Sequence, residues 1–316
     1  MSKINTSLFL SASVFIAFFG TAEPVSADFC QTIDSNTRYW LEKLSCSSQQ
    51  IRHAGIIAVQ RSSKLDVYRM VNNEENIASN NLAILSARGE KTISYQSEEV
   101  CISSTEREFP RVVNGCHLAE HYNISIVGSK IVSDRAVVVL ALNPKDDYRY
   151  SYRLDMDKKT GLLIGMRTLN SAQNIIERFH YAEIDFRTVP SDPLHPNIQS
   201  DDKVNIAENH RNFDFAQWEI SWLPSGFKPV RDSLTDKKRE SFTDGLASFT
   251  VFLEPVVQKK TLPKTEGAIT WGGMTSYVNT IKLATNWVLI TVVGDIPVKA
   301  AKRIAQSVKA ASKASN

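Results

Sequence analysis

Residues 146–170 read DDYRYSYRLDMDKKTGLLIGMRTLN, two strand-like runs about one polar turn. Tyr148, Tyr150 and Tyr152 alternate with polar residues, and a second run rich in apolar residues, LLIGMRTL, begins at Leu162. Between the runs stands DKKTG (157–161), an Asp, two lysines, a Thr and a Gly of the kind a tight turn uses. The competing reading takes Asp155 and Asp157 as a D-x-D metal motif, since alternate residues of a strand share a face. A calcium-type loop needs further oxygen ligands and a downstream Glu. Here Gly161, Leu162 and Leu163 follow, and Lys158 and Lys159 oppose a cation. The stretch is a β-hairpin.

The same pattern recurs on both sides of the hairpin. IIERFHYAEIDF (175–186) is a further strand. Upstream, GIIAVQRSSKLDVYRMVN (55–72) predicts a hairpin turning at Arg61–Lys64, and LAILSARGEKTISYQSEEVCI (82–102) more strands with a turn at Arg88–Gly89. IVSDRAVVVLALNP (131–144) reads as a strand closed by Asn143–Pro144. Before them, DSNTRYWLEKL (34–44) predicts a helix capped by Asp34, Ser35 or Asn36, with Tyr39, Trp40 and Leu44 as its apolar stripe. A helix followed by an antiparallel meander is an α+β domain, assigned here to residues 28–187. Residues 188–209 hold three prolines and little apolar periodicity and read as a linker. A second α+β domain, 210–316, carries strand pairs around Asp244–Gly245 and within MTSYVNTIKLATNWVLITVVG (274–294). It closes on a helix whose apolar face is Val298, Ala301, Ile304, Ala305 and Val308, with Lys299, Lys302, Arg303 and Lys309 wet.

The N-terminus predicts an exported protein. Lys3 precedes an apolar run, LFLSASVFIAFF (8–19), and Val25–Ala27 offers small residues for cleavage, so 1–27 reads as a signal peptide. The run falls short of the roughly 20 apolar residues of a membrane span. In an oxidising compartment the four cysteines, Cys30, Cys46, Cys101 and Cys116, are expected in disulfides. Three connectivities are open. Neighbour pairing is favoured, since it closes two loops of about 15 residues, each worth about 3 kcal/mol. Charge divides unevenly: from Arg211 onward 15 Lys and Arg face 9 Asp and Glu, against 37 and 34 in the whole chain. The C-terminal domain is therefore basic, which suits an acidic peptide or anionic head groups.

Catalytic signals are weak. Cys116, His117 and His121 form C-H-x-x-x-H, but a disulfide would remove the thiolate, so they read as an exposed His pair beside a bridge with no metal assigned. The remaining histidines are scattered, and no G-x-S-x-G elbow occurs. Gly272–Gly273 lacks the strand-to-helix setting of a phosphate loop. No cofactor is expected. A metal-dependent hydrolase built on Asp155, Asp157 and His117 is the outlying alternative. What stands out is the aromatic density of the second domain, from Trp218 to Trp287, of which one or two should lie at a partner or interdomain surface.

Three stretches of that domain, WLPSGF (222–227), TDGLASFTVFLE (243–254) and GDIPVKAAKRIAQSVK (294–309), resemble the C-terminal module of the MucB/RseB family. YNISIVGSKIVSDRAVVVLAL (122–142), residues 146–170 and ERFHYAEIDF (177–186) resemble its N-terminal module. The four cysteines stand outside that pattern. The resemblance implies an unclosed antiparallel half-barrel with helices, similar to periplasmic lipoprotein carriers, plus a small α+β domain. It also implies a periplasmic, non-catalytic regulator of sigma-E signalling. Such a protein binds the periplasmic region of a membrane-spanning anti-sigma factor, shields it from site-one proteolysis and is released by lipid or lipopolysaccharide. Homo-oligomers are compatible with this role. Trp222, Phe227, Arg231, Phe242 and Trp271 are the residues expected to hold the partner. The alternative is a stand-alone lipid or lipoprotein carrier, which would have no need of the second aromatic domain.

Overall fold

The computed structural model describes residues 33–72, 80–86, 89–95, 115–186, 218–230, 238–256, 266–283 and 286–311. The signal-peptide reading, the 188–209 linker, Arg231, Cys30 and Cys101 lie outside these residues. The disulfide pairing does too, because the side chains of Cys46 and Cys116 are not among those described.

Among the described residues the larger sheet has nine strands: β1 (His53–Arg61), β2 (Lys64–Asn72), β3 (Asn80–Ser86), β4 (Gly89–Tyr95), β5 (Tyr122–Val132), β6 (Arg135–Pro144), β7 (Ser151–Asp157), β8 (Leu163–Leu169) and β9 (Ile175–Asp185). Their order is β4-β3-β2-β1-β9-β8-β7-β6-β5, antiparallel throughout. The two ends, β4 and β5, do not pair, so the sheet is unclosed as expected. Two helices, α1 (Ser35–Gln50) and α2 (Gly115–His121), accompany it. Asp34 is the cap of α1, its Oδ1 accepting from the backbone N–H of Asn36 (3.1 Å) and Thr37 (2.9 Å). Trp40 and Leu41 are buried while Tyr39 is exposed, so the apolar stripe runs through Trp40, Leu41 and Leu44 rather than Tyr39.

Alternation along the strands sorts the core into two clusters. Val138, Leu140 and Leu142 of β6 and Tyr152, Leu154 and Met156 of β7 pack with Trp40 of α1 and Leu118 of α2. Val137 and Val139 join Ile57, Val59, Ile164 and Tyr181 in the other cluster. The segment 131–144 is not one strand: Ser133 and Asp134, both with positive φ, turn β5 into β6.

The opening hairpin forms as read, with β7 and β8 joined by a turn at Lys158–Thr160. Both aspartates belong to β7 itself and are buried, and cations of the same sheet take up their carboxylates. Asp155 meets Lys130 (2.8 Å) and Arg167 (3.0 Å). Asp157 receives the Arg135 fork (2.9 and 2.8 Å) and caps the turn through the N–H and hydroxyl of Thr160. Asp155 and Asp157 also occupy the sheet face opposite the one α2 covers. The Asp155–Asp157–His117 constellation is therefore not assembled.

The smaller sheet runs β11 (Lys228–Pro229), β12 (Arg239–Thr243), β13 (Ser248–Pro255), β16 (Asn286–Gly294), β15 (Met274–Leu283), β14 (Glu266–Trp271). Helix α3 (Val298–Ser307) packs on β15 and β16 through Ala300, Ala301, Ile304 and Ala305. Pro297 is its N-cap. A two-stranded ribbon, β10 (Trp218–Ile220) with β17 (Val308–Ala310), completes the unit.

Candidate functional site

The chemistry of this chain concentrates where the two sheets meet. The first contact grows from the tyrosine-rich segment of the opening stretch. Between β6 and β7 an Asx turn, Tyr148 N–H to Asp146 Oδ1 (2.9 Å), turns the Arg149 side chain inward. Arg149 donates from Nε to Asp244 Oδ2 (2.8 Å), and both side chains are fully buried. The guanidinium also pairs with Asp146, donates to the Ser225 carbonyl and lies 4.8 Å from the Phe227 ring centroid. Tyr122 donates its hydroxyl to the same Asp244 oxygen (3.1 Å), while Asp244 Oδ1 accepts from the N–H of Leu246 (2.9 Å) and Ala247 (2.8 Å). Burial, then the Asp244 charge, push the Tyr122 hydroxyl far above its ordinary range, so it stays a donor. Asp244, legible in sequence only as a turn residue, is thus the acceptor that locks two domains.

Beside this node the turn before β11 presses on α2. Gly226 has φ +85°, and a Cβ there would fall 1.9 Å from His121 Nε2. His121 is therefore buried, not part of an exposed pair. Burial, then the Arg149 charge, hold its pKa below the ordinary value.

The second contact is made by α3. Lys299 pairs with Asp147 (2.6 Å), Arg303 lies 4.0 Å from the Trp222 centroid and donates to the Tyr148 hydroxyl, and Tyr148 meets Trp222 edge-on at 4.8 Å. The third is the β14–β15 turn, where Gly273 N–H donates to Glu177 Oε2 (3.0 Å) and Glu177 pairs with Arg61 (3.1 Å). Trp271 lies under Arg61 (4.9 Å) and Lys64 (5.1 Å). Gly272, at φ +63°, leaves room for Glu177 that a side chain would fill. An open polar cleft of about 820 Å³ runs along this seam, between the Asn143–Arg153 segment and Pro297–Lys299.

Of the partner-binding residues expected from sequence, the described ones, Trp222, Phe227, Phe242 and Trp271, do not form one surface. Trp222 sits at the seam against Arg303. Phe227 and Phe242, 6% and 3% exposed, are core, each about 5.1 Å from the Phe249 ring. Trp271 is 43% exposed. Sequence reasoning missed Arg149, Asp244, Tyr122, Glu177 and Arg61. The one available signal was an Arg embedded in YRYSYR, a charge in a run that otherwise reads as core.

No helix among the described residues is long and apolar enough to cross a membrane. The chain is 25% identical to the sigma factor AlgU regulatory protein MucB of Pseudomonas aeruginosa over 299 residues, 85% of this chain and 90% of that protein. It is 29% identical to the sigma-E factor regulatory protein RseB of Haemophilus influenzae over 201 residues, 61% of each chain. Among solved structures, the P. aeruginosa MucA/MucB complex superposes with a TM-score of 0.66 at 23% identity, covering 88% of this chain and 100% of that one. MucB alone gives 0.60 at 22% identity, covering 88% and 99%. The MucB/RseB N-terminal domain model matches residues 36–205 and the C-terminal domain model residues 213–309. With both domains matched in order and the two-sheet architecture shared, this chain belongs to the MucB/RseB family.

Proposed function

We propose that this protein is a periplasmic negative regulator of sigma-E signalling that binds the periplasmic region of a membrane-spanning anti-sigma factor and shields it from site-one proteolysis. The observation that carries the reading is the match of both family domains over most of the chain, to relatives that are themselves sigma-factor regulators. The role is binding rather than catalysis, and lipid or lipopolysaccharide entering the half-barrel is the releasing signal. A disordered segment that orders on binding loses chain entropy and needs apolar and charged surface in return.

The geometry favours the small sheet's outer face, opposite α3, as that surface. By strand alternation and register, Ile269, Trp271, Met274 and Trp287 share it, and they range from 39% to 76% exposed. Among the described residues β14 is the sheet edge, with all six of its residues exposed, which suits an added strand. Phe227 and Phe242 support the small domain from its core, Trp222 stays at the interdomain seam against Arg303, and Arg231 lies outside the described residues.

Titration of the mature protein with the anti-sigma factor's periplasmic segment tests this. Binding, protection of the segment from the site-one protease, and release by lipopolysaccharide are the expected results. Loss of affinity in Trp287→Ala and Ile269→Asp places the segment on this face. Absence of any binding would instead favour the stand-alone carrier.

A further inference from the structure

The short, seven-residue helix α2 carries a cluster outside the surface proposed for the partner. Its sequence GCHLAEH puts His117, Glu120 and His121 at i, i+3 and i+4, one face of a helix. His117 Nδ1 lies 3.4 Å from Glu120 Oε2, His121 Nε2 lies 3.7 Å from the same oxygen, and the ligand atoms of the three all fall within 4.8 Å of one another. Donors around a tetrahedral zinc, with bonds of about 2.0–2.2 Å, stand roughly 3.3 Å apart. His117 and Glu120 are only partly buried and can rotate to close that difference.

A second observation points to a ligand. His121 is 8% exposed and its Nε2 is a buried polar atom with no hydrogen-bond partner. The carboxylate is beyond hydrogen-bond reach, and Gly226 packs against the face of the imidazole, where a Cβ would fall 1.9, 2.4 and 2.6 Å from Nε2, Cδ2 and Cε1, without supplying Nε2 with a partner. A buried nitrogen left unpaired costs on the order of 1–3 kcal/mol. The nearby cation does not oppose a metal, because Arg149 is neutralised by Asp146 and Asp244.

We infer that His117, Glu120 and His121 form a binding site for a divalent transition metal of zinc type, placed at the seam between the two domains. Two imidazoles and one carboxylate are a donor set that zinc accepts, with the fourth position open to solvent. His121 is packed on Gly226, so an occupied site ties α2 to the turn of the small domain. The sequence alone favoured no metal here because Cys116 and the two histidines were read without Glu120.

The test uses the full mature chain under non-reducing conditions, stripped with chelator and titrated with zinc, with cobalt as a spectroscopic probe. The expected result is one zinc per chain, a tetrahedral cobalt absorption band, and a zinc-dependent rise in Tm. His117→Ala and Glu120→Gln change partly exposed side chains, so both variants are expected to keep the metal-free Tm. Each should weaken zinc by more than about 100-fold, beyond the roughly 10–100-fold typical of losing an outer-shell partner. Stoichiometric binding that survives either substitution with unchanged affinity places the metal elsewhere and overturns the inference, as does the lack of binding in the parent protein.

Discussion

Replacing Arg149 by Met is expected to uncouple the two domains. Arg149 is the only described cation in hydrogen-bond contact with Asp244, and both side chains are 0% exposed. Removing it strands a buried carboxylate with Tyr122 and two backbone N–H groups as remaining donors, and frees the Ser225 carbonyl of its guanidinium. Breaking a buried pair from one side costs about 3–5 kcal/mol. The residual donors on Asp244 place the expectation at the lower end, about 3 kcal/mol. The assay is urea unfolding followed by tryptophan fluorescence, since Trp222, Trp271 and Trp287 report on the small domain and Trp40 on the large one. The parent protein should unfold in one transition, whereas Arg149→Met should show the domains parting. A double-mutant cycle with Asp244→Asn isolates the pair. A coupling energy below about 0.5 kcal/mol, with the single transition retained, would refute the argument that this pair joins the domains.

Gly226→Ala should destabilise by more than about 1 kcal/mol, because it needs positive φ and drives a methyl into the His121 ring; thermal unfolding reads it. Asp157→Asn carries a pH signature. Burial raises the Asp157 pKa, but the Arg135 fork and Thr160 outweigh it, holding it below the ordinary 3.8. A depressed carboxylate contributes stability that is full above its unfolded pKa and lost as pH falls through the folded value. The parent's advantage over Asp157→Asn should therefore be constant near neutrality and shrink below about pH 4; an advantage that grows on acidification contradicts the ion pair. Trp271→Ala removes the ring under Arg61 and Lys64 and should loosen the β14–β15 turn from Glu177, seen as faster amide exchange at Gly273 with little change in Tm.

Much of this architecture could be read locally. The hairpins at Ser62–Ser63, Lys158–Thr160 and Asp244–Gly245 follow from alternation and turn residues, and α3 follows from its apolar face, because each depends on neighbours a few residues away. The β5–β6 turn was missed because Ser133–Asp134 lacks the usual Gly or Asn and its apolar flanks run on as one strand. Phe227 and Phe242 read as anchors in the sequence but lie in the core, because an aromatic destined for a core and one destined for a partner are the same letter.

Most of the strands, the closing helix and the family were legible in the chain, since these are carried by short-range pattern and by motif order. Which side chains meet across the fold is settled in three dimensions. Arg149 and Asp244 lie 95 residues apart, Arg61 and Glu177 more than a hundred, and His121 finds Gly226 across a domain boundary. Nothing local marks such pairs, because a buried ion pair is defined by the desolvation both groups share, and that exists only once two surfaces have closed on each other.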